Sequence, residues 1–302
     1  MFNPILSICI PTFNRCDMLE NTLKSIVDTN VFQSTNEVEI VISNNCSEDE
    51  TNELCLKYAE KYPQKIKYIN QEQPIFSDNH IFKTMEYASG IFCKLSNDTC
   101  VYRNGALDKI VYFLKEHKEE DCIFFLNKKT KKNQYKRVTT LDDFIKIVSF
   151  KCTWIGSLCI KKDVYNTLKE PLRCSKLNLA QVDIYGQLFE NNYSATVFRD
   201  ILFDVQSEKV KTIGYNIAEV FGKNYFTILK SFVGKNNGIS NCTINGEKWN
   251  IINFINSFYF DVFNKYNIDK SNYFKILKDN FMLEPCFYLN GIKYSIKKFL
   301  HI

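Results

Sequence analysis

Three short polar clusters carry the residue types that could do chemistry in this chain. Ser96-Asn97-Asp98-Thr99 follows the apolar run Ile91–Leu95 and precedes Gly105-Ala106-Leu107. A carboxylate among neutral polar groups at the end of such a run can hold a divalent cation or orient a phosphate. It can equally close a strand-to-helix turn. Pro11-Thr12-Phe13-Asn14-Arg15 and Asn44-Asn45-Cys46-Ser47 stand at the ends of two other apolar runs. Their hydroxyls and amides can hydrogen-bond a base and a ribose, and Arg15 can reach a phosphate. Any one cluster can be only caps and turns; three at equivalent places indicate one pocket. No G-x-G-x-x-G follows the first apolar run and no G-x-x-x-x-G-K-[ST] occurs, which argues against a dinucleotide fold or a P-loop.

The elements that must position these clusters alternate. Ile5–Pro11, Glu37–Asn45, Lys65–Gln71 and Ile91–Asp98 read as strands. Between and after them Cys16–Thr29, Ser47–Tyr62, Ser77–Gly90 and Arg103–His117 read as helices, with Met18, Leu19, Leu23, Ile26 and Val27 on one face of the first. Ser47 with Glu50 has the spacing of a capping box, and Gly90 that of a helix-ending glycine. Strand alternating with helix implies a mostly parallel sheet covered on both faces, with ligands beyond the carboxyl ends of its strands. The middle is less regular: a strand at Asp121–Asn127, a solvated turn or hairpin at Lys128–Arg137, and a helix capped by Thr140. A strand and helix follow at Thr153–Leu168, then a helix at Lys176–Asn191 and a strand at Ser194–Val205. After the Gly- and Asn-rich stretch 234–246 the chain reads as helical, in Trp249–Asn267, Ser271–Phe281 and Ile292–Ile302.

The 302 residues, 45% apolar and 24% charged, suit one large folded domain or a domain with an attached subdomain. The first apolar run lacks a basic start and meets Pro11 early, so it reads as a core strand rather than a signal peptide. No window reaches the length of a membrane span. The 12 cysteines fall largely inside apolar runs and read as reduced, buried small hydrophobes. With 3 His and no Cys-x-x-Cys pair, a structural zinc site is not expected. Residues 212–302 carry 11 Lys, no Arg and 6 acidic residues, so the whole net charge of +5 resides there. A basic tail on a neutral body favours an anionic surface or substrate over nucleic acid.

Taken together, LSICIPTFNR, EVEIVISNNCSEDET, the block QEQPIFSDNHIFKTMEYASGIFCKLSNDTCVYRNGAL and WIGSLCIKKDVY resemble family 2 glycosyltransferases of the GT-A fold. The likeness is to the abequosyltransferase-like branch, which builds bacterial surface polysaccharides. It covers residues 5–110 well, 153–200 fairly and nothing beyond 212. The resemblance implies a GT-A domain over 1–211, with a nucleotide-sugar half at 1–110 and an acceptor-side half at 111–211, followed by a helical, basic and aromatic region at 212–302. It implies transfer of one sugar from a nucleotide-sugar donor to a capsule, O-antigen or lipooligosaccharide acceptor, with inversion. By position, Pro11, Thr12 and Arg15 would contact the nucleotide, and Asn44 or Asn45 would replace the family's base-reading carboxylate. Asn79 would line the cleft, beside Ser96 and Asn97. Asp98 would act in catalysis and hold Mn²⁺ or Mg²⁺. The D-x-D-D pattern aligns with Asn97-Asp98-Thr99-Cys100, so Thr99 occupies the usual metal-binding position and Asp98 is the sole carboxylate. Asp183 would be the catalytic base, with Asp163 as the alternative and Gln181 able to orient the acceptor. The depleted acidic motif keeps two other readings open: a noncatalytic nucleotide- or glycan-binding relative, and a metal-independent transferase with an atypical donor.

In the last segment Ile292, Ile296, Phe299 and Leu300 share a helical face beside Lys293 and Lys297. Such a helix can lie in a membrane interface or cover the sheet. Aromatics all around Phe254–Tyr266 suggest packing on two sides, as in a homo-oligomer contact or a lipid-facing surface. The expectation is a cytoplasmic protein peripheral on the inner face of the inner membrane, with a lipid-linked glycan as acceptor.

Overall fold

The computed structural model describes residues 4–129, 134–206, 211–213, 215–258, 266–268 and 271–300. It forms two compact units interleaved along the chain. Unit 1 is Met1–Thr139, Trp154–Ser175 and Tyr193–Gln206; unit 2 is Thr140–Thr153, Lys176–Asn192 and Ser207–Ile302. The sequence suggested a linear division at 212, whereas residues 140–153 and 176–192 pack with the C-terminal part.

Unit 1 opens with β1 (Leu6–Thr12), α1 (Cys16–Val27), α2 (Asn30–Ser34), β2 (Val38–Asn44), α3 (Thr51–Lys61), β3 (Ile66–Asn70) and α4 (Ser77–Glu86). Then come β4 (Phe92–Leu95), β5 (Cys100–Tyr102), α5 (Ala106–Glu116), β6 (Cys122–Phe125) and β7 (Tyr135–Val138). After an excursion into unit 2 through α6 (Leu141–Val148), the chain adds β8 (Leu158–Lys161) and α7 (Lys162–Thr167) to unit 1. It leaves again for α8 (Ala180–Glu190) and returns for β9 (Ala195–Phe198) and β10 (Phe203–Val205). Unit 2 is completed by β11 (Lys211–Ile213), α9 (Ile217–Glu219), a π-helical stretch Val220–Asn224, α10 (Tyr225–Lys230), α11 (Asn241–Ser257), β12 (Tyr266–Ile268), α12 (Tyr273–Phe281) and α13 (Pro285–Leu300).

Eight strands of unit 1 form one sheet in the order β3-β2-β1-β4-β8-β6-β9-β7. The first four are parallel, β8 opposes both its neighbours, β6 and β9 are parallel, and β7 is an antiparallel edge. This is the expected mixed, mostly parallel sheet flanked by helices. Every residue of β1 and β2 is buried, as a strand covered on both faces requires. Leu6, Ile8 and Ile10 share a core with Leu19, Leu23 and Ile26 of α1 and with Leu107, Ile110 and Leu114 of α5.

Several local expectations are corrected. Ser47 does not cap α3; its hydroxyl donates to Asn44 Oδ1 and accepts from the Asn14 amide, while Asp49 takes the Thr51 amide at 3.1 Å. Gly90 does not end α4, whose C-cap is Tyr87. A Cβ at Gly90 would stand 2.6 Å from Ser7 Oγ and 2.8 Å from Ser7 N, so glycine is needed there for a close backbone approach. Residues 135–138, expected in a turn or hairpin, pair with β9. The stretch after Asp98 is not simply a turn, because β5 pairs with β10 in a two-stranded ribbon too short to show a period. Helix α11 starts at Asn241, inside the Gly- and Asn-rich stretch, because Ser240 accepts the Thr243 amide as its cap. Of the 12 cysteines, 8 are buried, as expected of small hydrophobes inside apolar runs.

Candidate active site

In the strand order β3-β2-β1-β4 the chain reverses its winding between β1 and β4, and a doubly wound sheet opens its ligand crevice at such a point. The register places the two strands side by side, Leu6 opposite Phe92 and Cys9 opposite Leu95, so their polar carboxyl ends meet. There Asp98, 3% exposed, accepts from Thr12 Oγ1 at Oδ2 (3.0 Å) and from Arg15 Nη1 at Oδ1 (2.9 Å). Its carbonyl accepts from Thr22 Oγ1 of α1 at 2.8 Å. A carboxylate held by a guanidinium and a hydroxyl is a charge-assisted corner with fixed orientation.

The loop after β1 is locked to the loop after β2. Asn14 adopts a left-handed φ of 51°, which an Asn tolerates. Its amide donates to Ser47 Oγ (2.8 Å) and its Oδ1 accepts from Glu48 N (2.7 Å). Asp49 receives the Cys16 amide at 3.1 Å in addition to that of Thr51, joining the starts of α1 and α3. Burial works to raise the Asp49 pKa; the hydrogen bonds from Thr51 and Cys16 outweigh it and leave the carboxyl below its ordinary value.

A cleft of about 250 Å³ within unit 1 opens on this corner. Of the residues singled out from sequence, it gathers Pro11, Thr12, Arg15, Asn45, Asn97 and Asp98. The cleft is smaller than the roughly 300–1,000 Å³ that enclose a small ligand, so it suits part of a sugar nucleotide. Asn45 is held by both amide atoms to the backbone of Ile75, at 2.9 and 2.8 Å. Asn97 Oδ1 is a buried acceptor without a hydrogen-bond partner in the structure.

Three expected residues stand off the cleft. Asn44 is buried and spends its side chain on Tyr68 and Ser47. Ser96 is buried, its amide on the Cys9 carbonyl. Asn79 is exposed on α4, whereas Ser77, His80 and Ile81, at helical spacing from one another, line the cleft. The helical phase of α4 could have singled out these three. Phe13, 51% exposed beside Thr12, and Ile155 complete the lining. His80 is buried, its Nε2 3.0 Å from Ser43 Oγ, which accepts from Gln71 Nε2 at 2.8 Å. Burial lowers the imidazole pKa to about 4, so the ring is neutral at physiological pH.

Beneath the corner lies a residue that sequence reasoning passed over. Lys94 of β4 is fully buried, with its ammonium 4.4 Å from the centre of the Phe203 ring and near those of Tyr102 and Phe125. It donates to the carbonyls of Leu95 (3.1 Å) and Gly156 (2.9 Å). Burial lowers its pKa, and the aromatic faces offset part of that penalty. Gly156 is thereby fixed against Asn97; a Cβ on it would lie 3.0 Å from Asn97 Oδ1 and 2.7 Å from the Trp154 ring.

Asp183 belongs to unit 2, in the first turn of α8, where every residue from Ala180 to Phe189 is buried. Gln187 Nε2 donates to it at 2.6 Å. Gln181 Nε2 is bonded to the Thr153 carbonyl, whereas its Oε1 is buried without a hydrogen-bond partner. Asp163, the alternative, is exposed on α7.

Among the described residues the donor set at Asp98 has one carboxylate, fewer than a divalent cation usually takes. Such ions want several hard oxygen ligands, usually more than one carboxylate. Here the carboxylate already faces a guanidinium, and like unit charges about 4 Å apart repel by about 4 kcal/mol near a protein surface. Among the described residues one group of three His, Cys, Asp or Glu is close enough to share an ion, His117, Glu119 and Glu120, and it does not line this cleft.

The family model for glycosyl transferase family 2 matches residues 7–189. Minor teichoic acid biosynthesis protein GgaB of Bacillus subtilis is 24% identical over 248 residues, 76% of this chain and 27% of that protein. Abequosyltransferase RfbV of Salmonella typhimurium is 29% identical over 126 residues, 39% of this chain and 37% of that protein. The chain thus spans well under half the length of these curated relatives. Among solved structures, S. aureus TarS 1-349 in complex with UDP-GlcNAc superposes with a TM-score of 0.59 at 14% identity, covering 91% of this chain and 80% of that one. At that identity the likeness speaks for the fold.

Proposed function

The chain belongs to glycosyl transferase family 2, and from that premise we propose that it moves one sugar from a nucleotide-sugar donor to a bacterial surface-glycan acceptor, with inversion. The observation that carries this reading is the Thr12–Arg15–Asp98 corner at the switch point of the sheet, opening on the cleft. In the reaction the anomeric carbon–phosphate oxygen bond breaks while an acceptor hydroxyl oxygen bonds to that carbon from the opposite face. The hydroxyl proton goes to a carboxylate base, and the nucleotide leaves with the bonding electrons. Arg15 lines the cleft and supplies positive charge where the leaving phosphate develops negative charge. Phe13 offers an exposed ring face at the cleft on which a planar base can stack. Asp183 is the proposed base on the strength of the resemblance alone.

A panel of nucleotide sugars, each with a glycan acceptor extract and read by nucleotide release and product mass, tests the reading. One donor should turn over. Nucleotide binding without turnover of any donor would support the noncatalytic relative instead. If Asp183→Asn transfers at the full rate, the base lies elsewhere.

The proposal places the protein peripherally at the inner face of a membrane. Supporting it are Leu283, Leu289 and Ile292, 90%, 55% and 58% exposed, in the Lys-rich C-terminal part. The side chains of Ile296, Lys297, Phe299 and Leu300 lie outside the described residues, as do residues 259–265 of the aromatic run Phe254–Tyr266. No helix among the described residues is long and apolar enough to cross a membrane. Flotation with anionic liposomes should carry the protein up, and Leu283→Ser with Leu289→Ser should leave it at the bottom. Homo-oligomerisation through the same side chains, seen as a mass change on the double substitution without any flotation, would argue against the membrane.

A further inference from the structure

We propose that Lys94 is a positioning residue of the transferase site: its ammonium pins the turn Ile155–Ser157 to the carboxyl end of β4 and so sets the wall of the cleft that the donor enters. This rests on the nucleotide-sugar reading above and goes beyond it by giving a role in donor binding to a fully buried side chain. The ladder between β4 and β8 stops where Lys94 faces Cys159. Beyond that point the ammonium joins two carbonyls on different segments, Leu95 of β4 at 3.1 Å and Gly156 of the turn at 2.9 Å. Both segments reach the cleft: Asn97, two residues after Leu95, and Ile155, the neighbour of Gly156, line it. The turn packs directly on the first of these, since a Cβ on Gly156 would stand 3.0 Å from Asn97 Oδ1 and 2.7 Å from the Trp154 ring. Asn97 Oδ1 is buried there without a hydrogen-bond partner, a costly state that only a fixed neighbourhood maintains.

Packing alone does not call for a lysine here. The rings of Phe203, Tyr102 and Phe125 surround Nζ, with centres at 4.4, 5.5 and 5.7 Å. An unbranched apolar side chain such as methionine would fill that cage without the cost of burying a charge. The partners of the ammonium are two carbonyls and three rings, with no carboxylate among the described residues. What the lysine adds is direction: N–H donors aimed at two main-chain segments that the sheet itself leaves unjoined.

The test is calorimetric titration of the full chain with UDP-GlcNAc, UDP-glucose and GDP-mannose in the presence of Mn²⁺, with urea unfolding alongside. The parent should bind at least one of them. Lys94→Met should weaken that binding about tenfold or more. Gly156→Ala, which keeps the lysine but displaces the turn, should do the same. In the double variant the second change should add less than about twofold, because both act through one turn. Leu114→Ala, a truncation of the buried face of α5, should lower the urea midpoint and leave affinity within about twofold of the parent. Parent-like binding by Lys94→Met would overturn the inference while leaving the transferase reading intact. So would parent-like binding by Gly156→Ala, full multiplication of the two losses in the double variant, or loss of affinity by Leu114→Ala in step with its stability. If Lys94→Met fails to fold, Gly156→Ala and Leu114→Ala still decide between the outcomes. Absence of binding of all three donors by the parent would count against the donor reading of the cleft and this inference together.

Discussion

Asp98 in unit 1 and Glu247 in unit 2 are both carboxylates with almost no exposed surface, 3% and 4%, yet they are satisfied in opposite ways. Asp98 faces a guanidinium and a hydroxyl at the edge of a cleft. Glu247 sits on α11 among neutral donors, Ser149 Oγ at 2.9 Å, Asn250 Nδ2 at 2.8 Å and the Tyr225 hydroxyl at 3.0 Å. Burial raises its pKa, and those hydrogen bonds counter only part of the rise. The first arrangement holds a carboxylate in a fixed orientation at the edge of a cleft. The second ties α10, α11 and the 3-10 turn Ser149–Thr153 together, and burial makes ionisation of that carboxyl costly.

The sharpest way to break this comparison is to remove each carboxylate. Asp98→Ala should lower transfer by roughly 100-fold or more, the scale of losing a preorganised electrostatic contact, with little change in melting temperature. Glu247→Ala should leave donor affinity alone and cost about 1–3 kcal/mol of stability, read by urea unfolding, because three buried donors lose their acceptor. Similar losses of stability in both variants would erase the distinction.

A second contrast lies in pH. His80 has a folded pKa of about 4, below the unfolded value of 6.5. The unfolded chain therefore binds the proton first, and stability present above pH 6.5 is lost as pH falls toward 4, by about 3 kcal/mol at most. His80→Gln should flatten that slope, measured as urea midpoints across the window. An unchanged slope would place the acid sensitivity elsewhere.

Glu247 runs the other way and by less. Its folded pKa is raised above 4.5, so its contribution is full below that pH and is lost as pH rises through the folded value. Glu247→Gln keeps a hydrogen-bonding side chain and should remove this alkaline loss. If stability above pH 5 is the same in the parent and the Gln variant, the carboxyl is ionised without cost.

Unit 1 was far more legible in the sequence than unit 2. In Ile5–Asn45 the apolar runs are continuous and the helix between them has a clean face, so β1, α1 and β2 fall within a residue or two of expectation. Strands β5 and β10, three residues each, have no period to read and exist only because they pair with each other. In unit 2 the start of α11 was hidden by Asn245 and Gly246, residues of low helix propensity that packing of Ile244, Ile251 and Ile255 overrides. Within the site, Thr12, Arg15, Asn97 and Asp98 were named from their place at strand ends and do converge in the cleft. Asn44 looked equally exposed to ligand and proved to be buried, and His80 carried no sign of its role.

From the sequence alone came the alternation of apolar strands and amphipathic helices, the polar residues at the strand ends, and the loss of acids around Asp98, because these are local properties of residue type and spacing. Only the tertiary structure decided that Arg15 grips Asp98 across 83 residues, that Lys94 lies in a cage of rings, and that Gly156 presses on Asn97. Those contacts depend on which strands lie side by side and on the register between them, and no short-range pattern in the chain encodes either.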